Sequence, residues 1–321
     1  MLAASTALSF LLSLATARLL ASRWRSFALD EPNVRSLHVT PVPRTGGLAV
    51  LAGTAGALAF IGAQLWLPMA LAAALAAVSL YDDVQGLPRR MRFATHFAAA
   101  ALLVWHVLSP MHPLELLLLL VAVVWVTNLY NFMDGADGVA GGMALIGFSA
   151  YAIAAWLAGD GALATLCAAI AAAAAGFLIH NFHPARIFLG DVGSIPLGFL
   201  AAALGIVGWR HDAWPLWFPL LVFGPFNADA TVTFLRRLAR REKVWEAHRE
   251  HYYQRIVRMG FGHRSAALIG YAVMCACAAF ALLGRAQSPG LQLAAFAAGS
   301  ALLGVAALWV DVRWSRRGER G

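Results

Sequence analysis

Charge is what this sequence has least of. Only 12% of its 321 residues are Asp, Glu, Lys or Arg, against about 25% in a soluble globular chain. A surface so poor in charge cannot be mostly wetted, which excludes an ordinary water-soluble domain. Cysteine is scarce too. Cys167, Cys275 and Cys277 all lie inside apolar runs, so they read as small buried side chains, with no disulfide framework and no thiolate zinc site. No repeat of 20–50 residues is present, which removes solenoids and propellers.

What fills the chain instead is apolar sequence, 61% of all residues, in runs near the length of about 20 residues that crosses a bilayer as a helix. The runs predict an all-α polytopic membrane protein forming one domain over 1–321, with about eleven spans: 3–21, 46–65, 66–82, 94–110, 114–131, 139–158, 162–180, 193–209, 215–234, 264–284 and 291–311. The first run reads as a span and not a signal peptide, because its first basic residue is Arg18 and a signal peptide opens with a basic region.

The net charge of +8 follows from topology. With the N-terminus outside (periplasmic) and the C-terminus in the cytoplasm, the inner loops and their borders take almost all of the 24 Lys and Arg residues. Arg210 and Arg285 alone fall outside, and Arg18 sits at the inner end of the first span. That is the positive-inside bias, and no nucleic-acid partner is needed to explain it. Trp209 and Trp214 flank an outer loop as interfacial aromatics do.

Several polar motifs interrupt this pattern. Asp82 and Asp83 end the third span, before Gly86. Two carboxylates at a membrane boundary are costly to hold and suit a general base or a shared cation; the plainer alternative is a solvated helix end facing Arg89, Arg90 and Arg92. The fifth span ends in Asn128, Asn131, Asp134 and Asp137, with Gly135 and Gly138 between. If the helix continues, these four form one polar stripe; otherwise they are turn formers. Gly190-Asp191-Val192-Gly193-Ser194 opens the eighth span. Backbone N–H groups at a helix start favour phosphate, and Asp191 is either a magnesium ligand or a simple cap. Asp229, inside the ninth span, is either a buried helper or a partner of Arg236 and Arg237.

The longest inner loop, 235–263, is basic and reads as helical, with His248 and His251 three apart and Arg255 one turn on. It lacks a Cys or third His in register for zinc; it suits a diphosphate or, alternatively, anionic lipid. The loop after the first span offers Arg35, His38 and Arg44, as substrate contacts or as topology signals. Every motif except Asp229 falls at the inner end of a span. A transporter would more often carry its ionisable groups near the midplane.

In this order, Asp82-Asp83-x-x-Gly86, Asn131-x-x-Asp134-Gly-x-Asp137-Gly, Gly190-Asp191-x-Gly193-Ser194 and then a histidine-bearing loop, the motifs resemble those of the polyprenyl-phosphate N-acetylhexosamine-1-phosphate transferases, over roughly residues 30–265. The resemblance implies transfer of a sugar-1-phosphate from a UDP-sugar to undecaprenyl phosphate at the cytoplasmic face of the bacterial inner membrane. It also implies Mg²⁺, with Mn²⁺ as a substitute, and a homodimer as the assembly. Carried over by motif, Asp191 and Asp83 would ligate the metal, and Asp82 or Asp83 would deprotonate the lipid phosphate. Asn131, Asp134, Asp137, Gly193 and Ser194 would line the donor site. His248, His251, Arg255 and Arg44 would hold phosphates. The loop is less histidine-rich than in much of the family. This form resembles the branch that starts O-antigen-type polysaccharides and argues against a muramyl-pentapeptide donor; UDP-GlcNAc, UDP-GalNAc and 6-deoxy amino sugars stay open. Two rival classes explain less. An intramembrane aromatic prenyltransferase needs a second Asp-rich motif, and a lipid-linked-sugar transporter needs carboxylates across the membrane.

Overall fold

The computed structural model describes residues 2–24, 28–30, 41–58, 65–108, 111–244, 246 and 248–318. Arg35 and His38 lie outside the described residues. Helices dominate: α1 (Leu2–Ser22), α2 (Gly46–Ala55), α3 (Trp66–Gln85), α4 (Arg89–Leu108), α5 (Pro113–Phe132), α6 (Val139–Leu157), α7 (Gly161–Asn181), α8 (Asp191–Arg210), α9 (Trp217–Val222), α10 (Gly224–Ala239), α11 (Tyr252–Ile256), α12 (Gly262–Gly284) and α13 (Pro289–Gly318). Among the described residues nine helical stretches are long and apolar enough to cross a membrane. They are α1, α3 to α8, α11 continued into α12, and α13.

The other two expected spans are shorter. Only ten residues of 46–65 form α2. The run 215–234 is divided at Phe223, the cap shared by α9 and α10, with Pro225 at the start of α10. A proline's missing N–H and fixed φ suit a helix's first turn and not its interior, so the chain restarts there.

Helix α8 is the most enclosed and packs against α3, α5 and α2. The outer helices turn Trp105, Leu117, Leu118, Leu293 and Leu308 outward, as lipid-facing side chains do, and this is where the excess of apolar residues resides. Close approach relies on small residues, as in other helix packing within lipid. A Cβ on Gly47 of α2 would fall 2.2 Å from the Gly193 nitrogen of α8, and one on Gly193 would fall 2.6 Å from the Gly47 Cα. The two backbones therefore touch.

One small β pairing matters for the site. β1 (Leu29–Asp30) and β2 (Val42–Pro43) pair antiparallel, Asp30 opposite Val42. β2 then runs along the segment before α8: Phe188 N–H donates to Pro43 O, Gly46 N–H to Phe188 O and Gly47 N–H to Leu189 O, all at 2.8 Å. This fixes residues 43–47 beside Gly190 and Asp191.

Because the Gly47–Gly193 contact is backbone on backbone, Gly193→Ala should destabilise the fold by about 1–3 kcal/mol, read as a lower Tm in detergent. An unchanged Tm would show that α2 and α8 are free to separate.

Candidate active site

The C-terminal ends of α3, α5, α7 and α10 and the N-terminal ends of α4, α6 and α8 meet at one end of the bundle, around a cavity of about 800 Å³. Its wall includes Arg44, Arg89, Arg92, His96, Asn131, Asp134, Asp137, Asp191, Arg237, His248, His251 and His263. Cations and carboxylates therefore share one mouth.

Asp191 occupies the first turn of α8, after Gly190 at φ 70°. A side chain there would be strained, and its Cβ would fall 2.1 Å from Arg44 O. Asn131 Nδ2 donates to Asp191 Oδ1 at 2.8 Å and to Ser194 Oγ at 2.9 Å, and Ser194 Oγ donates to Gly190 O at 3.0 Å. Arg92 Nη1 stands 2.7 Å from Asp82 Oδ2 and 3.5 Å from Asp191 Oδ2. One guanidinium thus joins the end of α3 to the start of α8.

The two adjacent carboxylates differ. Both Asp82 oxygens are engaged, Oδ1 by Leu87 N–H at 2.5 Å and Oδ2 by Arg92. Asp83 pairs through Oδ1 with Arg44 Nη2 at 3.4 Å, while its Oδ2 is buried with no hydrogen-bond partner among the described residues. Neither Asp82 nor Asp83 lines the cavity; they lie behind Arg92 and Arg44, which do. A buried carboxylate oxygen without a donor is costly, and it fits a hard cation, which takes oxygen ligands and one or two carboxylates.

The expected stripe through Asp137 does not form. α5 ends at Phe132, and residues 133–138 turn through Gly138 at φ 76°. Glycine accommodates that φ without the Cβ clash that other residues suffer. Asp134 and Asp137 nevertheless both reach the cavity. Burial raises the Asp134 carboxyl and the Asp191 charge raises it further; against a hydrogen bond from Gly190 N–H, it reaches about 7. Burial works to raise Asp137 as well. Hydrogen bonds from His263 and His183, with the Ala185 N–H, overcome it and hold Asp137 at about 2. His183 Nδ1 lies 2.6 Å and His263 Nδ1 3.4 Å from its oxygens. The three groups lie within 4.8 Å of one another. Their 2.6 Å approach is hydrogen-bond spacing, and the carboxylate serves as a staple for three loops. Asn181 adds a second staple, accepting from Gly138 N–H at 3.1 Å and donating to Ile187 O at 2.9 Å.

The expected helical loop is also different. α10 stops at Ala239, and α11 begins only at Tyr252. The buried Arg237 accounts for this by collecting carbonyls that a helix would use: Lys243 O and Glu246 O at 3.1 Å, with Glu242 Oε2 at 2.8 Å. His248 and His251 still meet, ring centroids 4.8 Å apart. Burial, then the charges of His251 and Arg237, push His248 down to about 4, so it is neutral near pH 7.

In the Mycobacterium tuberculosis protein named decaprenyl-phosphate N-acetylglucosaminephosphotransferase, 32% of 306 aligned residues are identical, covering 79% of this chain and 74% of that one. Residues 65–209 match the model of glycosyl transferase family 4. This chain belongs to that family. A Bacillus subtilis member named "Probable undecaprenyl-phosphate N-acetylglucosaminyl 1-phosphate transferase" is 28% identical over 77% of this chain and 74% of its own. The phospho-N-acetylmuramoyl-pentapeptide-transferase of Geobacillus kaustophilus is 44% identical, but over 25% of either chain.

The family match spans α3 to α8, hence the Asp82, Asn131 and Asp191 motifs, and stops before the histidine loop. The fold gathers Arg44, Asn131, Asp134, Asp137, Asp191, His248 and His251 at the cavity. Three expected contacts face elsewhere. Gly193 packs on α2, and Ser194 is fully buried, orienting Asn131. Arg255 turns to Asp311, 3.0 Å away, and to the faces of Tyr252 and Trp314. The sequence suggests a phosphate contact for Arg255, and Asp311, 56 residues on in α13, takes it instead. The sequence offers Arg92 only as a neighbour of a solvated helix end, and His96, His183 and His263 are absent from its candidates. His96 carried a signal, an ionisable residue within an apolar run; the pairing of His183 with His263 is long-range and carried none.

A depressed carboxyl value stabilises the fold above its unfolded pKa, and that contribution is lost as pH falls through the folded one. For Asp137 the window is 3.8 down to about 2, and the shift is worth about 2 kcal/mol. Asp137→Asn should therefore lower Tm near neutrality, and the difference from wild type should shrink as pH falls through that window. A difference independent of pH would show that the His–carboxylate staple is not what Asp137 contributes.

Proposed function

We propose that this protein transfers N-acetylhexosamine-1-phosphate from a UDP-sugar to undecaprenyl phosphate, giving undecaprenyl-diphosphate-sugar and UMP, at the cytoplasmic face of the bacterial inner membrane. The observation that carries the reading is the polar mouth at the helix ends, where Asp191 lies beside Arg92, with the unsatisfied Asp83 Oδ2 behind Arg44. Family membership and the polyprenyl-phosphate names of the long-matching relatives support it. The basic bias of the loops at that end supports the cytoplasmic orientation.

An oxygen of the lipid phosphate attacks the sugar-bearing phosphorus of the donor. The bond from that phosphorus to the bridging oxygen breaks, and UMP leaves with the bridging oxygen and its electron pair. Such phosphoryl transfer is governed by positioning and charge neutralisation. Asp83 and Asp191 would hold Mg²⁺ (or Mn²⁺), which supplies charge neutralisation on the phosphates. Arg44 and Arg92, now turned to these carboxylates, would then face the phosphates. A phosphate monoester is largely dianionic near pH 7, so little deprotonation is needed. Asp82, both of whose oxygens are engaged, sets Arg92. Asn131 fixes Asp191, Asp134 and Asp137 shape the donor side, and His248 and His251 meet the diphosphate.

GlcNAc is the sugar named in the long-matching relatives, and UDP-GlcNAc is the first donor to try. The product's use in starting O-antigen-type lipopolysaccharide chains is part of the same proposal, resting on the form of the histidine loop.

The reading is tested by incubating purified protein with undecaprenyl phosphate, Mg²⁺ and a panel of UDP-N-acetylhexosamines. Lipid-dependent UMP release is expected, and its absence with every donor would overturn the assignment. Asp191→Asn should reduce turnover to background, and near-normal turnover would remove Asp191 from the metal site.

A further inference from the structure

Asp229 is buried in α10, and its carboxylate meets four polar groups, three of them on residues 251–253. Tyr252 N–H donates to Oδ1 at 2.9 Å and Tyr253 N–H to Oδ2 at 3.2 Å. Thr233 Oγ1, one turn along the same helix, lies 3.3 Å from Oδ1. The remaining contact is with a side chain of the cavity wall: His251 Nδ1, 3.1 Å from Oδ1. Asp229 and Arg237 are both buried and lie two turns apart on one face of α10, so that face grips the loop from both sides. Arg237 takes the carbonyls of residues 243 and 246, and Asp229 takes the N–H groups of residues 252 and 253.

A cap alone would need only to accept from the backbone N–H groups. The Asp229 carboxylate does something more: its Oδ1 also lies 3.1 Å from the imidazole Nδ1, and a carboxylate oxygen can only accept there. A carboxylate on Nδ1 fixes the ring's tautomer and turns the other nitrogen outward. The ring is held from other directions as well. It stacks on Tyr253 at 5.8 Å and 15°, and the His251 N–H donates to Gln254 Oε1 at 3.2 Å.

We propose that Asp229 is the positioning residue of the histidine loop, holding His251 with its Nδ1 protonated so that its Nε2 edge meets the diphosphate of the donor. The role given to His251 rests on the transferase reading; the tautomer itself does not.

Two measurements separate these layers. In ¹⁵N-histidine-labelled protein, with His251→Gln used to assign the resonance, His251 should carry its proton on Nδ1 in the wild type and lose that preference in Asp229→Asn. A wild-type ring protonated only on Nε2 would overturn the proposal, whether or not any donor is turned over, and it stands as the test should Asp229→Asn fail to fold. In kinetics, Asp229→Asn should lower kcat/KM for the UDP-sugar about tenfold to a hundredfold, with the KM for the lipid acceptor unchanged. The Asp229→Asn/His251→Ala double variant should be no worse than His251→Ala alone. Losses that multiply in the double variant, or an equal rise in both KM values, would show that Asp229 acts otherwise than through His251.

Discussion

A carboxylate at a membrane boundary must be compensated, and the compensation of Asp191 places much of this site. It begins the most enclosed helix, and its neighbours are chosen by what they donate. Asn131 at the end of α5 donates to it, Arg92 at the start of α4 reaches it and Asp82 together, and the β2 segment lies along the residues before it. The glycine ahead of it lets Arg44 approach at backbone distance. Four separate segments are thereby brought to one charge. Asp83 Oδ2 and Arg44 Nε remain buried without a donor or acceptor among the described residues, a local cost that a well-packed interior does not keep without reason.

The same economy appears at the other wall. Asp137, Asp229 and Asp311 are carboxylates that tie loops to helices, each through a histidine or arginine far away in sequence. Asp137 binds His183 and His263, Asp229 binds His251, and Asp311 binds Arg236, Arg255 and Tyr252. The C-terminal helix is in this way joined to the histidine segment. A donor's diphosphate would enter a mouth whose loops are held by charge instead of by apolar packing, while the lipid-facing exterior carries the apolar residues.

Much of this was legible in the chain before any coordinates. Runs of apolar residues near the bilayer thickness locate nine of the eleven expected spans among the described residues, 46–65 and 215–234 being the exceptions, because lipid leaves a spanning backbone no other partners than its own. The motifs at Asp82, Asn131, Asp134 and Asp191 meet at one end of the bundle, where α3 and α5 end and α8 begins. What sequence could not give was partner choice. Residue type does not distinguish Asp82 from Asp83; Leu87 N–H and Arg92 take the first and the distant Arg44 takes the second. Nothing local turns Arg255 away from the cavity; Asp311 does. The helical reading of 235–263 holds at its ends, in α10 and from α11 onward, while Arg237 competes for carbonyls between them, a tertiary effect stronger than local propensity. Asp229, read as either helper or arginine partner, binds His251 because the loop folds back onto α10.

The central claim is that Asp191 and Asp83 together form one divalent-cation site. Mn²⁺ titration of the purified protein followed by EPR tests it most directly, independent of the sugar donor. One tight site is predicted in the wild type, absent in Asp191→Asn and weakened in Asp83→Asn, with Asp229→Asn binding as the wild type does. Equal Mn²⁺ stoichiometry and affinity in the wild type, Asp191→Asn and Asp83→Asn would contradict the account.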